Sequence, residues 1–536
     1  MAALDRRKRR GFGIRRFFLA ILVLLVIIVG IPAFLWTRDE PATPQTIVSA
    51  ATKAPRMIGS AATPHAVPGT PLHCCGLADA GRAGMHSDGA DSNVHPVAGP
   101  LGFDPVVRSR LGSVKPGGEC AVQVARRDGK LITLCGNILN MELHLLDPVT
   151  LQLLARQVLP GRPSSLHALL TLDPDKIMSD TSGAYFYLDA QDRITLADAE
   201  RHIRRFVMEK DGAGRWAFRE TGSWDLSAFV PHDCVDLLHW SPQGECDAVV
   251  AVMPDHAGLI WWVTRYGRVG TLDLGTGQAH PTALAGEEIE NGFAVAEDGV
   301  YIVSDHALYR YEADAMGAPK ITWHETYDRG SHRKIGQINQ GSGTTPSIIG
   351  QHYVAITDNA DDRVALLVYR READFTGQRL ICHVPLFASG ASAAENAPVG
   401  WGRSIIVENT SGYTSAFAQK DWSHLPGGMT RIDIRPDESG CDEVWTSPIS
   451  SPTVVPKLSS VSGLLYAYSV EVDETGTPAW RLAALDFETG KTVFGILTGA
   501  GRSFDNNWAA ISLYDGVAYV GVFNGLVSVS DGPKPN

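Results

Sequence analysis

From about residue 106 to the end, short apolar runs recur, separated by Gly, Asp, Asn and Pro. Gly299-Val300-Tyr301-Ile302-Val303-Ser304 followed by Ala307-Leu308-Tyr309-Arg310-Tyr311 is one pair of such runs. Val517-Ala518-Tyr519-Val520-Gly521-Val522 followed by Gly525-Leu526-Val527-Ser528-Val529 is another. Runs of this length, bounded by turn residues, predict antiparallel strands joined by tight turns. Strand-rich units can be drawn at 118–160, 165–223, 247–284, 288–328, 343–386, 401–448, 459–499 and 505–533. The last unit looks one strand short, and a strand near 106–114 would complete it. Within the second unit, Leu196 to Arg205, with Asp198-Ala199-Glu200-Arg201-His202-Ile203 at its centre, reads as a short inserted helix.

One turn repeats. Leu485-Asp486-Phe487-Glu488-Thr489-Gly490-Lys491 is matched by Leu272-Asp273-Leu274-Gly275-Thr276-Gly277-Gln278 and, degraded, by Leu146-Asp147-Pro148-Val149-Thr150-Leu151. The Asp side chain accepts from backbone N–H groups and the Gly takes a positive φ. Such a turn joins the outer two strands of a small sheet. Its repetition predicts an all-β fold, a β-propeller of seven or eight blades over 106–536, or six if some units are insertions.

The N-terminus differs in kind. Residues 1–16 form a basic tail containing Arg6-Arg7-Lys8-Arg9-Arg10 and Arg15-Arg16, and 17–36 is an unbroken apolar run. A helix of that length spans about 30 Å, a bilayer core. The run ends Ile31-Pro32-Ala33-Phe34-Leu35-Trp36, bulky where a signal peptidase needs small residues, so an uncleaved transmembrane helix is expected rather than a cleaved signal peptide. Basic residues before the span put the N-terminus in the cytoplasm. The expected location is the cell inner membrane, single-pass, with a periplasmic or equivalent extracytoplasmic body. Residues 37–70, rich in Ala, Pro and Thr, read as a linker, and 71–105, rich in Gly, His and Asp, as an irregular cap segment.

Composition agrees with this address. A net charge of −12 with no basic stripe in the body argues against nucleic acid as a partner. The eight cysteines include no Cys-x-x-Cys pair with metal spacing. Cys120 with Cys135, Cys234 with Cys246 and Cys382 with Cys441 are candidate disulfides of an oxidising compartment; buried thiols are the other reading.

The Asp-x-x-Thr-Gly-Lys turn resembles the repeat of the pyrroloquinoline-quinone (PQQ) type propellers, carried here by Ala484, Asp486, Thr489, Gly490 and Lys491, with Phe494 where Trp is usual. That family includes quinoprotein dehydrogenases and cofactor-free scaffolds. In the alcohol dehydrogenases a Cys-Cys disulfide lies over the quinone. Cys74-Cys75 is such a pair, but it precedes the strand region, so PQQ is not the expected cofactor. A second stretch, from Glu290-Asn291-Gly292-Phe293-Ala294 to Asp298-Gly299-Val300-Tyr301-Ile302-Val303-Ser304-Asp305, is similar to the calcium-dependent gluconolactonase, paraoxonase and strictosidine-synthase-like propellers. That resemblance implies that Asn291 reaches a central ion.

Polar pairs recur beside the apolar runs: Glu290-Asn291, Asp358-Asn359, Glu408-Asn409 and Asn506-Asn507. Blades converge on one axis, so these groups meet at the channel mouth if the ring closes. Oxygen ligands, about six to eight at roughly 2.3–2.6 Å, suit Ca²⁺. Asn291, Asp358, Asn359, Glu408 and Asn507 are the candidate metal ligands; the same residue types also cap turns in any β protein. A bound cation would polarise a lactone or ester carbonyl. His86, oriented by Asp88, is the candidate catalytic base, in a segment expected to fold over the mouth; a solvated loop histidine is the other reading. No Gly-x-Ser-x-Gly elbow is present. Three functions follow: a calcium-dependent lactone or ester hydrolase, a non-catalytic scaffold that binds an envelope protein or polymer, or a quinoprotein dehydrogenase.

Overall fold

Val106–Leu111, which precedes the first blade in the chain, is the fourth strand of the last one. It pairs with Gly525–Ser530, with Ser109 opposite Val527 and Val107 opposite Val529. This closes an eight-bladed β-propeller. The computed structural model describes residues 45–46, 52–69, 82–112, 118–137, 140–162, 183–231, 246–416 and 418–533. Among the described residues the strands form eight sheets. Blade one holds Glu119–Ala125, Leu131–Gly136, Met141–Leu146 and Leu153–Leu159. The next six occupy 187–225, 249–283, 294–326, 347–385, 399–447 and 457–500, and blade eight occupies 511–530 with the early strand. Each unit drawn from the apolar pattern corresponds to one blade, three of the blades overrunning their unit by one or two residues, and the closing strand lies where the pattern placed it.

The pattern succeeds because each strand's surroundings are uniform. First strands such as Val249–Pro254 and Ser347–Ile349 face the axis and are buried throughout. Fourth strands such as Trp216–Asp225 are half-buried or exposed along their whole length. Between blades the sheet faces interlock; Tyr466, Tyr468, Trp480, Leu482 and Phe494 of blade seven share a core with Ile511 and Val520 of blade eight. Tyr468 and Trp480 stack at 5.6 Å. Each large apolar side chain buried in this way contributes about 2 kcal/mol.

The repeated turn forms as its residues require. Asp486 Oδ1 accepts from Thr489 N–H and Oγ1, at 2.9 and 2.7 Å, and Gly490 has φ +67°. Asp273 and Gly277 repeat the arrangement, and in the degraded copy Leu151 takes φ +58° where Gly is favoured. The expected helix at 196–205 is a hairpin instead. Ile194–Ala197 and His202–Lys210 are paired strands. Asp198 Oδ1 accepts from Glu200 N–H and His202 N–H, both at 2.9 Å, so the polar stretch is itself the turn.

Part of the stretch read as a linker belongs to the ring. Met57–Gly59 pairs with the fourth strand of blade seven, and His65 N–H and Val67 N–H donate to the carbonyls of Ser462 and Ser460. Cys120–Cys135 and Cys382–Cys441 are disulfides, as the spacing suggested. Cys246 is disulfide-bonded too; its expected partner Cys234, the Cys74-Cys75 pair and the apolar run 17–36 lie outside the described residues. No helix of the described residues is long and apolar enough to cross a membrane.

Candidate functional site

The central channel is filled by the chain itself. Residues 82–95, inside the segment read as an irregular cap, enter the channel, turn and leave, hydrogen-bonding to the first strands of successive blades. Arg82–Ala83 pairs with Tyr187–Leu188 of blade two. The carbonyls of Gly89, Ala90, Ser92 and Asn93 then accept from Val295, Ile348, Gly400 and Leu458 N–H, in blades four, five, six and seven. Val94–His95 runs parallel to Leu458–Ser459. Arg82 reaches the Ala125 carbonyl, beside the turn between the first and second strands of blade one. Ser460 N–H, in the corresponding turn of blade seven, donates to the His95 carbonyl. Both arms of the loop thus enter from that lower face. The fit is made by small residues: a Cβ on Gly84 would lie 2.6 Å from the Val122 side chain.

This loop carries the two candidate catalytic residues into the interior. His86 is 3% exposed, with Nδ1 3.1 Å from Asn93 Oδ1 and Nε2 3.3 Å from Thr345 Oγ1. Burial, and then the nearby Lys457 charge, push its pKa down to about 3. Asp88 does not orient it. Asp88 accepts from Ser92 N–H and Oγ, at 3.0 and 2.5 Å, capping the loop's own turn. The turn brings Ser92 N–H and Oγ onto the two carboxylate oxygens of Asp88, while the His86 ring turns to Asn93 and Thr345 instead. His86 holds a neutral ring in fixed bonds, away from solvent.

The candidate metal ligands stand on one face of the ring. Residues before a first strand and residues ending a second strand lie at the same end of a blade, because the two strands are antiparallel. Asn291 and Asn507 are of the first kind, Asp358-Asn359 and Glu408 of the second. Each is bound locally. Asn291 Oδ1 accepts from Tyr185 OH at 3.1 Å, and its Nδ2 donates to the Gly343 carbonyl. Asp358 Oδ1 accepts from Ala360 and Ala365 N–H, the turn chemistry given as the other reading. Asn359 Nδ2 donates to the carbonyls of Arg329 and His332. Glu408 Oε2 accepts from Asn396 Nδ2 at 2.7 Å. Asn507 Nδ2 donates to Glu119 Oε2 at 2.9 Å, and its Oδ1 accepts from Tyr413 OH and Ala416 N–H. Among the described residues, the groups of three or more His, Cys, Asp or Glu close enough for a metal are Cys120–Cys135–His144 and Asp198–Glu200–His202. The first contains a disulfide, and neither includes a candidate ligand.

Sequence reasoning named Glu408 among the acids on this upper face but missed Glu119, Glu395 and Asp505. Glu119, Glu408 and Asp505 have pKa values raised by burial, to about 8, about 8 and about 7. Glu395 is raised well above the ordinary range by burial and the neighbouring Glu290 charge. Tyr413 OH bridges Asp505 Oδ2 and Asn507 Oδ1, at 2.9 and 3.2 Å. Glu395 and Asp505 precede first strands as Asn291 does, and that shared position was the signal available. Lys457 was also missed, although it is a lysine among apolar neighbours in a first strand.

These acids give a pH prediction. A carboxyl raised on folding binds more protons folded than unfolded between about pH 4.5 and 8, so stability falls as pH rises through that window. Glu408→Gln removes one such titration. It is expected to flatten the fall in Tm between pH 5 and 8, gaining on the order of 3 kcal/mol relative to wild type at pH 8. Melting curves at several pH values check this.

No family model matches the chain. An uncharacterized protein of Archaeoglobus fulgidus is 26% identical over 321 residues, which are 52% of this chain and 60% of that protein, so the chain spans about three fifths of that relative's length. Similar solved structures include BamB from Moraxella catarrhalis, 12% identical, covering 63% of this chain and 93% of that one, with a TM-score of 0.38. The computationally designed Ika8 protein is 13% identical and covers 78% and 96%, with a TM-score of 0.44. A protein from Lactobacillus plantarum is 12% identical and covers 60% and 83%, with a TM-score of 0.38.

Proposed function

We propose that this chain is a membrane-tethered, extracytoplasmic β-propeller that serves as a non-catalytic binding platform for an envelope protein or polymer. The observation that carries this reading is the filled channel. The loop 82–95 occupies the axis where a central metal would receive substrate, and the candidate base His86 is buried on it with both ring nitrogens engaged. The basic tail and apolar run of the sequence support the tether, and the disulfides support an oxidising compartment. The test is a chelator titration followed by thermal melting, beside turnover assays on simple lactones and aryl esters. An unchanged Tm and no turnover are expected, because no ion contributes binding energy to the folded state.

A second reading is the calcium-dependent lactone or ester hydrolase. It is favoured by Glu119 Oε1 and Glu408 Oε1, buried oxygens without a hydrogen-bond partner on the upper face. Stoichiometric calcium, a Tm that drops with chelator, and turnover lost in Asn291→Ala would select it over the platform.

A further inference from the structure

Lys457 lies in the first strand of blade seven, between Pro456 and Leu458, and is 1% exposed. Its Nζ donates to the Met85 carbonyl at 2.6 Å and touches Asn93 Oδ1. Both partners are neutral oxygens on the channel loop. An ammonium held this way is costly, because no directly bonded carboxylate offsets its lost hydration.

The Asn93 amide is fixed. Its Nδ2 donates to the carbonyls of Ala397 and Pro398, at 3.3 and 3.1 Å, which turns Oδ1 toward Lys457. His86 Nδ1 lies 3.1 Å from the same Oδ1. That oxygen only accepts, so Nδ1 carries the hydrogen and Nε2 accepts from the Thr345 hydroxyl. Two carboxyl groups of the loop, Asp88 and Asp91, act electrostatically on Lys457. Asp91 is 1% exposed and its Oδ2 has no hydrogen-bond partner.

We propose that Lys457 and Asn93 join in an intramolecular isopeptide bond that fastens the channel loop to blade seven. The lone pair of the unprotonated amine attacks Asn93 Cγ, the carbon bonded to the oxygen that Nζ already touches. The C=O π pair moves onto Oδ1, and the resulting oxyanion faces the His86 Nδ1–H. The Asp91 carboxyl gives its proton to the departing Nδ2 and takes one from Nζ. The oxygen pair then reforms the C=O, the Cγ–Nδ2 bond breaks, and ammonia leaves. One amide forms and one breaks; nothing is oxidised or reduced, and no co-reactant enters.

The environment supplies the protonation states. Burial lowers the Lys457 pKa to about 7, so the free amine is well populated at neutral pH. Burial, then the Asp88 charge, raises Asp91 well above the ordinary range, so it holds the proton it must transfer. Fixing amine and amide in contact replaces an encounter in solution with a unimolecular step. The bond is independent of the platform reading: a hydrolase and a platform would carry it equally.

The test is the intact mass of the full chain, purified in detergent, with a tryptic map after reduction. The wild type is expected to be about 17 Da lighter than its sequence, the mass of ammonia, once hydrogens lost to disulfides are counted. The map should contain a branched peptide joining 83–108 to 432–481, uncut at Lys457. Lys457→Met and Asn93→Ala should both return to sequence mass. Asp91→Asn, which keeps shape but removes the transferable proton, should leave a measurable uncrosslinked fraction while the circular dichroism spectrum stays that of wild type. A wild-type chain at sequence mass, with separate linear peptides cut at Lys457, overturns the proposal whether or not the variants fold. The proposal also fails if Asp91→Asn cross-links as completely and as fast as wild type.

Discussion

A chain that begins at residue 112 is expected to show no cooperative melt, whereas one that begins at residue 97 keeps a melt at reduced temperature. The first lacks Val106–Leu111, so blade eight is left with an open edge along Gly525–Ser530. Six residues face each other in that register, Val106 with Ser530 through Leu111 with Gly525. At about 1 kcal/mol net per backbone hydrogen bond, plus the apolar area uncovered, the loss approaches the roughly 5–15 kcal/mol that holds a typical domain together. An unpaired, largely apolar edge also recruits other chains, so aggregation should accompany it. The second chain keeps the closing strand but lacks the channel loop and the strand Met57–Gly59. Lys457 then faces an emptied, water-accessible channel and regains its hydration, so the ring persists with less stability. Circular dichroism melts and gel filtration of both chains test the pair. Equal cooperativity in the two would mean that closure by the early strand does not hold the ring.

The second large effect is covalent. Cys382 lies in the fourth strand of blade five and Cys441 in that of blade six, separated by 59 residues. Blades five and six are also joined by packing, by one connection of chain and by Glu438, which pairs with Arg370 and accepts from Tyr353 OH. In the chain-entropy view, closing a loop of this length removes about 4 kcal/mol from the unfolded state's advantage. Replacing both cysteines by serine is expected to cost about that much, seen as a lower denaturant midpoint with a steeper slope, because the unfolded chain without the cross-link is more expanded. Replacing Cys120 and Cys135 should cost about 3 kcal/mol, because that loop is shorter. Cys120 and Cys135 are both fully buried, so serine there also leaves hydroxyls to be satisfied.

Much of the ring was legible because its determinants are local. A run such as Gly299–Val303 carries its strand in its own residues, and Asp486 with Gly490 makes its turn within five positions. The closing strand was readable by the same means, since blade eight lacked a member and 106–114 had the pattern. The helix expected at 196–205 fails where a turn of polar residues imitates a short amphipathic stretch. In a helix the Glu200 and His202 N–H groups would donate to main-chain carbonyls; here Asp198 Oδ1 takes both, and Ile203, Phe206 and Met208 pair with the next strand.

The candidate site was legible only as a face. Asn291, Asp358, Glu408 and Asn507 do stand at one end of their blades, which period and turn position dictate. Whether their side chains aim at a shared point depends on what else fills the axis, and that occupant comes from residues 82–95, distant in sequence and without a strand pattern. Its hold on the ring is mostly main-chain, Gly89 to Val295 and Ser92 to Gly400, and main-chain bonds leave no mark in side-chain identity. Lys457 and Asn93, 364 positions apart, meet only through that loop.

The early origin of the closing strand bears on how the chain is made. Val106–Leu111 leaves the ribosome before any blade exists, and its partner Gly525–Ser530 is among the last segments translated. During synthesis the ring therefore cannot lock, and each finished blade waits with an unsealed neighbour. Maturation should show a long-lived open species that becomes protease-resistant only after the C-terminal end has left the ribosome. Premature stop codons anywhere before residue 525 should yield degraded rather than shortened protein.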